Sequence, residues 1–242
     1  MTEYTFYIQE NKDIREKFYQ CYGDHFSKDG VYSPKDMFDC EDRPHIVYLL
    51  KEAIDNPEDW EPCRDLENIF RAYPESGNGS NVYGGNLCRP VKYLTDGIWW
   101  DYVKRDSPEE FSVKGFAYIN VKKKAEGKGR SKNWDLDNYA RSDAELLKRQ
   151  IVSCRPDIVF CCQNNDCQVS RLETILGKPR QVLDKSIDFA WLFDYEYQEK
   201  SNQLIAIRWI HLCQGSISNK ALHARLDMVR LYLKSICQKN SR

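Results

Sequence analysis

The sequence predicts an α/β fold, a single three-layer domain with a central, mostly parallel sheet and helices on both faces. Three observations carry this. Short apolar runs, Ile46 to Leu50, Phe116 to Ile119, Ile158 to Cys162 and Leu204 to Ile210, are too short for helices and rich in β-formers, the pattern of strands buried on both faces. A helical stretch ending at Arg155-Pro156 separates two of them, so strand, helix and strand form a crossover unit with parallel strands. At 242 residues the chain suits one large core, read as one domain over 1–242 with 1–44 as a helical and aromatic extension packed on it.

In that extension Tyr4, Phe6, Tyr7, Phe18, Tyr19, Tyr22 and Phe26 alternate with charged residues around Gly23 and Gly30. Ile14, Phe18 and Cys21 have helical spacing, which predicts a short helix on the sheet, and no chemistry is visible there. The opening strand changes character after Leu50, to Lys51, Glu52, Asp55, Glu58 and Asp59. Ligands of open α/β sheets bind outside the carboxyl ends of strands, so this cluster is a candidate site; a solvated loop is the competing reading. Asp65 to Tyr73 is expected to be helical, with Leu66, Ile69, Phe70 and Tyr73 on one face. Pro74 to Asn86, rich in Gly and Ser, is expected to be a flexible loop, either a lid or plain surface.

The second strand ends in Asn120, and six positive charges follow in eleven positions: Lys122, Lys123, Lys124, Lys128, Arg130 and Lys132, broken by Gly127 and Gly129. Such a loop suits phosphates, with a solvated basic loop as the alternative. Ser142-Asp-Ala-Glu145 has the form of a capping box for a helix carrying Leu146, Leu147, Gln150 and Ile151. The third strand ends in Gln163, Asn164 and Asn165; Phe189 to Phe193 is a further strand or core-facing segment; the fourth clear strand ends in His211. Ser218 is the expected N-cap of a last helix whose Leu222, Leu226, Val229, Leu233 and Ile236 form a core-facing stripe.

No stretch approaches the ~20 apolar residues that span a bilayer. The first residues lack the regions of a signal peptide, so a cytoplasmic protein without membrane contact is expected. None of the ten cysteines forms Cys-x-x-Cys, and they read as small core residues or inert thiols rather than metal ligands. The net charge of -1 hides an asymmetry: residues 1–110 carry 23 acidic against 13 basic side chains, and 111–242 carry 14 against 23. A basic half suits a polyanion, and neutralisation between the halves accounts for it equally well.

Three separated strands thus end in groups able to do chemistry, Glu52, Asn120 and His211. If the strands are parallel, all three emerge at one edge. A carboxylate can orient water or stabilise an oxocarbenium-like centre, an amide can read donor and acceptor on a base edge, and an imidazole can protonate a departing carbonyl oxygen.

These segments, in this order, resemble the uracil-DNA glycosylase superfamily across roughly residues 45–236. The opening strand with Lys51-Glu52-Ala53 resembles the first motif, which reads Gly-Glu-Ala-Pro-Gly in the iron–sulfur branch. Tyr118-Ile-Asn120-Val-Lys-Lys resembles the segment whose Asn reads the flipped base, Glu145 to Cys162 the helix–strand unit that follows, and the strand ending in His211 the second motif, usually His-Pro-Ser. Lys51 and Ile54 replace the usual Gly and Pro, Leu212-Cys213 follows His211, and the cluster cysteines have no counterparts. The resemblance with these departures implies a divergent member without the cluster or any other cofactor or metal, and a pocket able to admit a base larger than uracil.

What the resemblance implies is a monofunctional DNA glycosylase, acting as a monomer on duplex or single-stranded DNA that holds a damaged or modified base. A narrower expectation is a defence enzyme that excises a hypermodified cytosine from phage DNA. Glu52 would activate water, with Asp55 as second candidate, and His211 would hydrogen-bond the base oxygen. Asn120 would read the base, with Trp60 or Tyr48 stacking on it, the competing reading for both being a place in the core. Lys122, Lys123, Lys124, Lys128, Arg130, Ser216, Ser218 and Lys220 would contact DNA. The rivals are an N-glycosidase of free nucleosides or nucleotides, a non-catalytic nucleic-acid-binding module and, more distantly, a hydrolase using Cys213 near His211.

Overall fold

A computed structural model describes residues 2–40, 43–52, 80–97, 115–124, 131–162, 167–183, 190–209 and 219–240, with the backbone alone at 52, 80–86, 88, 167, 219–220, 222 and 236–240. The elements in chain order are α1 (Glu3–Tyr22), β1 (Gly30–Tyr32), α2 (Pro34–Phe38), β2 (Ile46–Glu52), α3 (Ser80–Asp96) and β3 (Phe116–Lys122). Then come α4 (Asn133–Ser142), α5 (Ala144–Ser153), β4 (Ile158–Cys162), α6 (Cys167–Leu176), β5 (Gln181–Val182), β6 (Ala190–Tyr197), β7 (Lys200–Trp209) and α7 (Asn219–Asn240). Among the described residues no helix is long and apolar enough to cross a membrane.

The seven strands form one sheet in the order β1-β3-β2-β4-β7-β6-β5. Its four central strands, β3, β2, β4 and β7, are parallel, and the edges are antiparallel, β1 on β3 and the β6–β7 hairpin with β5 beyond it. The sheet is therefore mixed, with the expected parallel strands at its core and antiparallel edges. The apolar runs are continuous because helices cover both faces, so neither side of a central strand meets water. On one face Ile46, Tyr48, Phe116, Phe160, Ile205 and Ile207 pack with Leu87 and Val91 of α3 and Leu226 and Val229 of α7. On the other, Val47, Leu49, Ala117, Val159 and Ala206 pack with Ile14 and Phe18 of α1, Leu147 and Ile151 of α5 and Leu172 of α6. Burying one such aliphatic side chain contributes about 1.5–3 kcal/mol, so interleaving two layers of them on the sheet sets the register of the central strands.

Several expectations need correction. The stretch Pro74 to Asn86 is not all loop, because α3 begins at Ser80 and runs through Gly84, Gly85 and Pro90. Local propensity opposes that helix, but Leu87, Val91 and Leu94 recur at helical spacing and are buried, and the tertiary packing prevails. Pro90 has no N–H for the carbonyl four residues back. One residue along, the Tyr48 hydroxyl donates to the Leu87 carbonyl at 2.8 Å. The capping box at Ser142 does not form: Ser142 closes α4, its hydroxyl donating to Tyr139 O and Asp143 Oδ1, and α5 starts after Asp143. The helix α4 was not anticipated at all; its Leu136 and Ala140 are buried four apart. The predicted helix Asp65 to Tyr73 lies outside the described residues. Of the stripe on α7, Leu226 and Val229 are buried in the core and Leu233 packs against it.

Candidate functional site

The connections locate a crevice. After β2 the chain passes through α3, on one face, to β3; after β4 it enters α6, on the opposite face. Where the connections from adjacent parallel strands leave to opposite faces, the carboxyl ends of those strands part and a ligand-binding crevice forms. Here that point lies between β2 and β4. Pairing of β2 with β3 continues to Glu52 opposite Lys122, whereas pairing of β2 with β4 stops at Leu49 opposite Cys161. Among the described residues β2 has no β4 partner from Leu50 onward.

The freed backbone groups are met by side chains. Gln168 of α6 donates from Nε2 to the Leu50 carbonyl at 2.7 Å, and Arg171 Nη1 donates to Gln168 Oε1 at 2.8 Å. Arg171, almost fully buried, is held in turn by Asp137 at 2.7 Å from Nε and by Asn133. So the carboxyl end of β2 is tied through the Leu50 carbonyl to α6 and, by Arg171, to α4.

Asn120 stands in register with Leu50, one strand over, and is completely buried. Its main-chain N–H donates to Asp29 Oδ2 at 2.6 Å, but neither Nδ2 nor Oδ1 of its side chain has a hydrogen-bond partner among the described residues. A buried polar group left unpaired costs about 1–3 kcal/mol, which makes a whole amide in that state unusual in a stable protein. At the far side of the crevice Trp209, the last residue of β7, pairs with Cys162, and its Nε1–H is also buried and unpartnered. Asn120 stands opposite Leu50 and Trp209 opposite Cys162, so both groups lie towards the same end of the parallel strands.

The basic residues divide. Lys123 is completely buried, its Nζ 2.5 Å from Asp29 Oδ1, and burial pulls its ammonium below the ordinary lysine range although Asp29 opposes the shift. Lys122 is 2% exposed and engages Asp135 at 3.0 Å, Ser131 at 2.8 Å and the Tyr139 ring. Both were expected to contact phosphate; their ammonium groups are instead neutralised within the fold, so neither is free to do so. Lys124 is half-buried beside the bridge from Phe26. Tyr48, a candidate for stacking on a base, is a core residue stacked on Phe160 with its hydroxyl on Leu87. Asp55, Trp60, Lys128, Arg130, His211, Cys213, Ser216 and Ser218 lie outside the described residues, as do the side chains of Glu52 and Lys220.

Glu52 and Asn120 are thus brought to one edge of the sheet, the edge at which β7 also ends. Sequence reasoning missed Asp29, Gln168, Arg171 and Trp209. Asp29 came from the extension in which no chemistry was visible, and a Lys-Asp-Gly turn carries no mark that separates it from a surface loop. Gln168 and Arg171 sit three apart on α6, one helical turn, which is the only signal they offer. The buried cysteines are poor nucleophiles: burial pushes Cys154 up to about 12 and raises Cys161 and Cys162 as well. Comparison of the chain with protein-family models, curated proteins and solved structures finds no match.

Proposed function

We propose that the chain hydrolyses N-glycosidic bonds, as a monofunctional DNA glycosylase that reads a flipped modified base with Asn120. The observation that carries this reading is the buried amide of Asn120, unpartnered at both atoms, beside the crevice at the strand ends. An amide offers one acceptor and a pair of donors in one plane, the complement of a nucleobase edge, and its desolvation is already complete before the base arrives. Flipping the base costs a few kcal/mol of unstacking. Glu52, the last residue of β2, orients water towards the sugar or stabilises the cation that forms there, and Asp55 is the reserve carboxylate. His211, two residues beyond Trp209, hydrogen-bonds the base oxygen as charge builds on it; a positioned proton donor of this kind contributes ~10²–10⁴ in rate. Trp60 stacks on the base, and Lys124, Lys128, Arg130, Ser216, Ser218 and Lys220 hold phosphates. A hypermodified cytosine in phage DNA is the narrower substrate, on the altered first motif.

A second reading, an N-glycosidase of free nucleosides or nucleotides, gains from the burial of Lys122 and Lys123, which removes two charges from the presumed phosphate loop. Salt dependence separates the two, because phosphate contacts make DNA binding fall steeply with ionic strength. The test is incubation with oligonucleotides carrying uracil, hypoxanthine or bulky cytosine derivatives, with DNA of phages bearing modified bases, and with the corresponding nucleosides. Alkali-labile abasic sites in DNA, lost in Glu52→Gln and Asn120→Leu, support the glycosylase. Base release from nucleosides alone selects the second reading. DNA binding without release, unchanged in Glu52→Gln, would leave only a binding module.

A further inference from the structure

Asp29 meets Asn120 where the sheet has no strand left to do so. β1 begins at Gly30, which pairs with Tyr118, so the ladder ends before the main-chain N–H of Asn120. The Asp29 carboxylate takes the place of the missing strand residue, accepting that N–H at 2.6 Å. Its other oxygen accepts from Lys123 Nζ at 2.5 Å and Gln150 Nε2 at 2.9 Å, so it is clamped from two sides and is itself fully buried. Its own segment is tied back to β3, Ser27 N–H donating to the Lys123 carbonyl at 2.8 Å.

We infer that Asp29 is a positioning residue for Asn120: by fixing the peptide that precedes the Asn120 side chain, it fixes where the free amide points into the crevice. This rests on the base-reading role proposed for Asn120. The side chain of Asn120 has no hydrogen bond of its own, so its direction depends on its backbone and on packing alone. Without Asp29 the buried N–H has no acceptor, and the end of β3 relaxes to find one, carrying the amide with it. A misplacement of about 1 Å costs on the order of 10²-fold in a reaction that depends on geometry.

Two double variants isolate this hydrogen bond from the ion pair. Asp29→Asn with Lys123→Met removes both charges and keeps an oxygen facing the Asn120 N–H; Asp29→Leu with Lys123→Met removes both charges and the oxygen. Base release from the oligonucleotide and nucleoside panel above should stay within about threefold of wild type in the first. In the second, kcat should fall on the order of 10- to 100-fold. The side-chain amide resonances of Asn120 should move or broaden only in the second. Should the leucine variant fail to fold, Asp29→Glu, which shifts the acceptor by one methylene, takes its place, with the same fall expected in kcat. Equal kcat and KM in the paired variants, with unmoved Asn120 amide signals, overturn the inference. If the wild-type protein releases no base from any substrate, the functional reading fails by itself, and the amide resonances alone decide whether Asp29 orients Asn120.

Discussion

The Asp29–Lys123 pair supplies the sharpest stability prediction. Both side chains are completely buried, and the ammonium lies 2.5 Å from a carboxylate oxygen that no water reaches. Removing one member of such a pair strands the other charge in the interior, which costs about 3–5 kcal/mol, whereas removing both together costs far less. Lys123→Met should therefore lower the melting temperature by roughly 6–20 °C, at ~2–4 °C per kcal/mol for a chain of this size. Asp29→Asn should behave differently with pH. Burial already holds Lys123 below the ordinary lysine range, and loss of Asp29, which opposes that shift, lowers it further. Between the folded value and 10.5 the unfolded chain holds a proton that the folded chain lacks, so stability rises with pH across that window. The window opens at lower pH in Asp29→Asn than in wild type. The deficit of the variant should then be greatest near neutral pH and shrink as the pH climbs towards 10. Urea titrations of wild type, both single variants and the double variant, at several pH values between 6 and 10, measure this directly. A Lys123→Met cost below about 1 kcal/mol, the surface-pair value, or a deficit of Asp29→Asn that does not change with pH, would refute the reasoning.

Three further outcomes are expected. Asn120→Leu should abolish base release yet raise the stability of the unliganded protein by about 1–3 kcal/mol, since it removes a buried amide without partners; urea titration alongside the release assay reads both. Gly30→Ala should destabilise by about 1–3 kcal/mol, because φ at Gly30 is 146° and a Cβ there would meet the Tyr7 hydroxyl at 3.0 Å; thermal melts compare it with wild type. Of the described cysteines, the exposed Cys21 should react with a thiol reagent at pH 8 while Cys154, Cys161 and Cys162 react only on unfolding, as mapped by mass spectrometry of the labelled peptides.

The central sheet was legible because its signal is local. Each of Ile46–Leu50, Phe116–Ile119, Ile158–Cys162 and Leu204–Ile207 is apolar at consecutive positions, and only a strand covered on both faces needs that. The helix α3 was hidden because Gly84, Gly85 and Pro90 argue against it locally, while Leu87, Val91 and Leu94 are explained only by the sheet they cover. Lys122 and Lys123 misled for a related reason. A run of lysines reads as a solvated or phosphate-facing loop, and the carboxylates that neutralise these two, Asp135 and Asp29, lie 13 residues ahead and 94 residues behind. Charge composition is visible in a sequence, but charge pairing across such separations is not.

The same distinction bears on the crevice. Asn120 and Glu52 were singled out because they end apolar runs, a local feature, and the parallel register brings their backbones to one edge. What holds that edge is non-local. Asp29 takes the Asn120 N–H from one flank, and Gln168, braced by Arg171, takes the Leu50 carbonyl from the other. Each occupies a position where a longer ladder would have closed the sheet, against β1 in the first case and β4 in the second. Side chains in these places satisfy the last backbone groups of β3 and β2 without a further ladder rung. A strand that simply continued would satisfy the same groups and leave no room for a ligand. Gln168 thus lets β2 part from β4 in an ordered way, Asp29 does the same for the end of β3 beyond β1, and the buried, unpartnered amide of Asn120 lies on the strand between them.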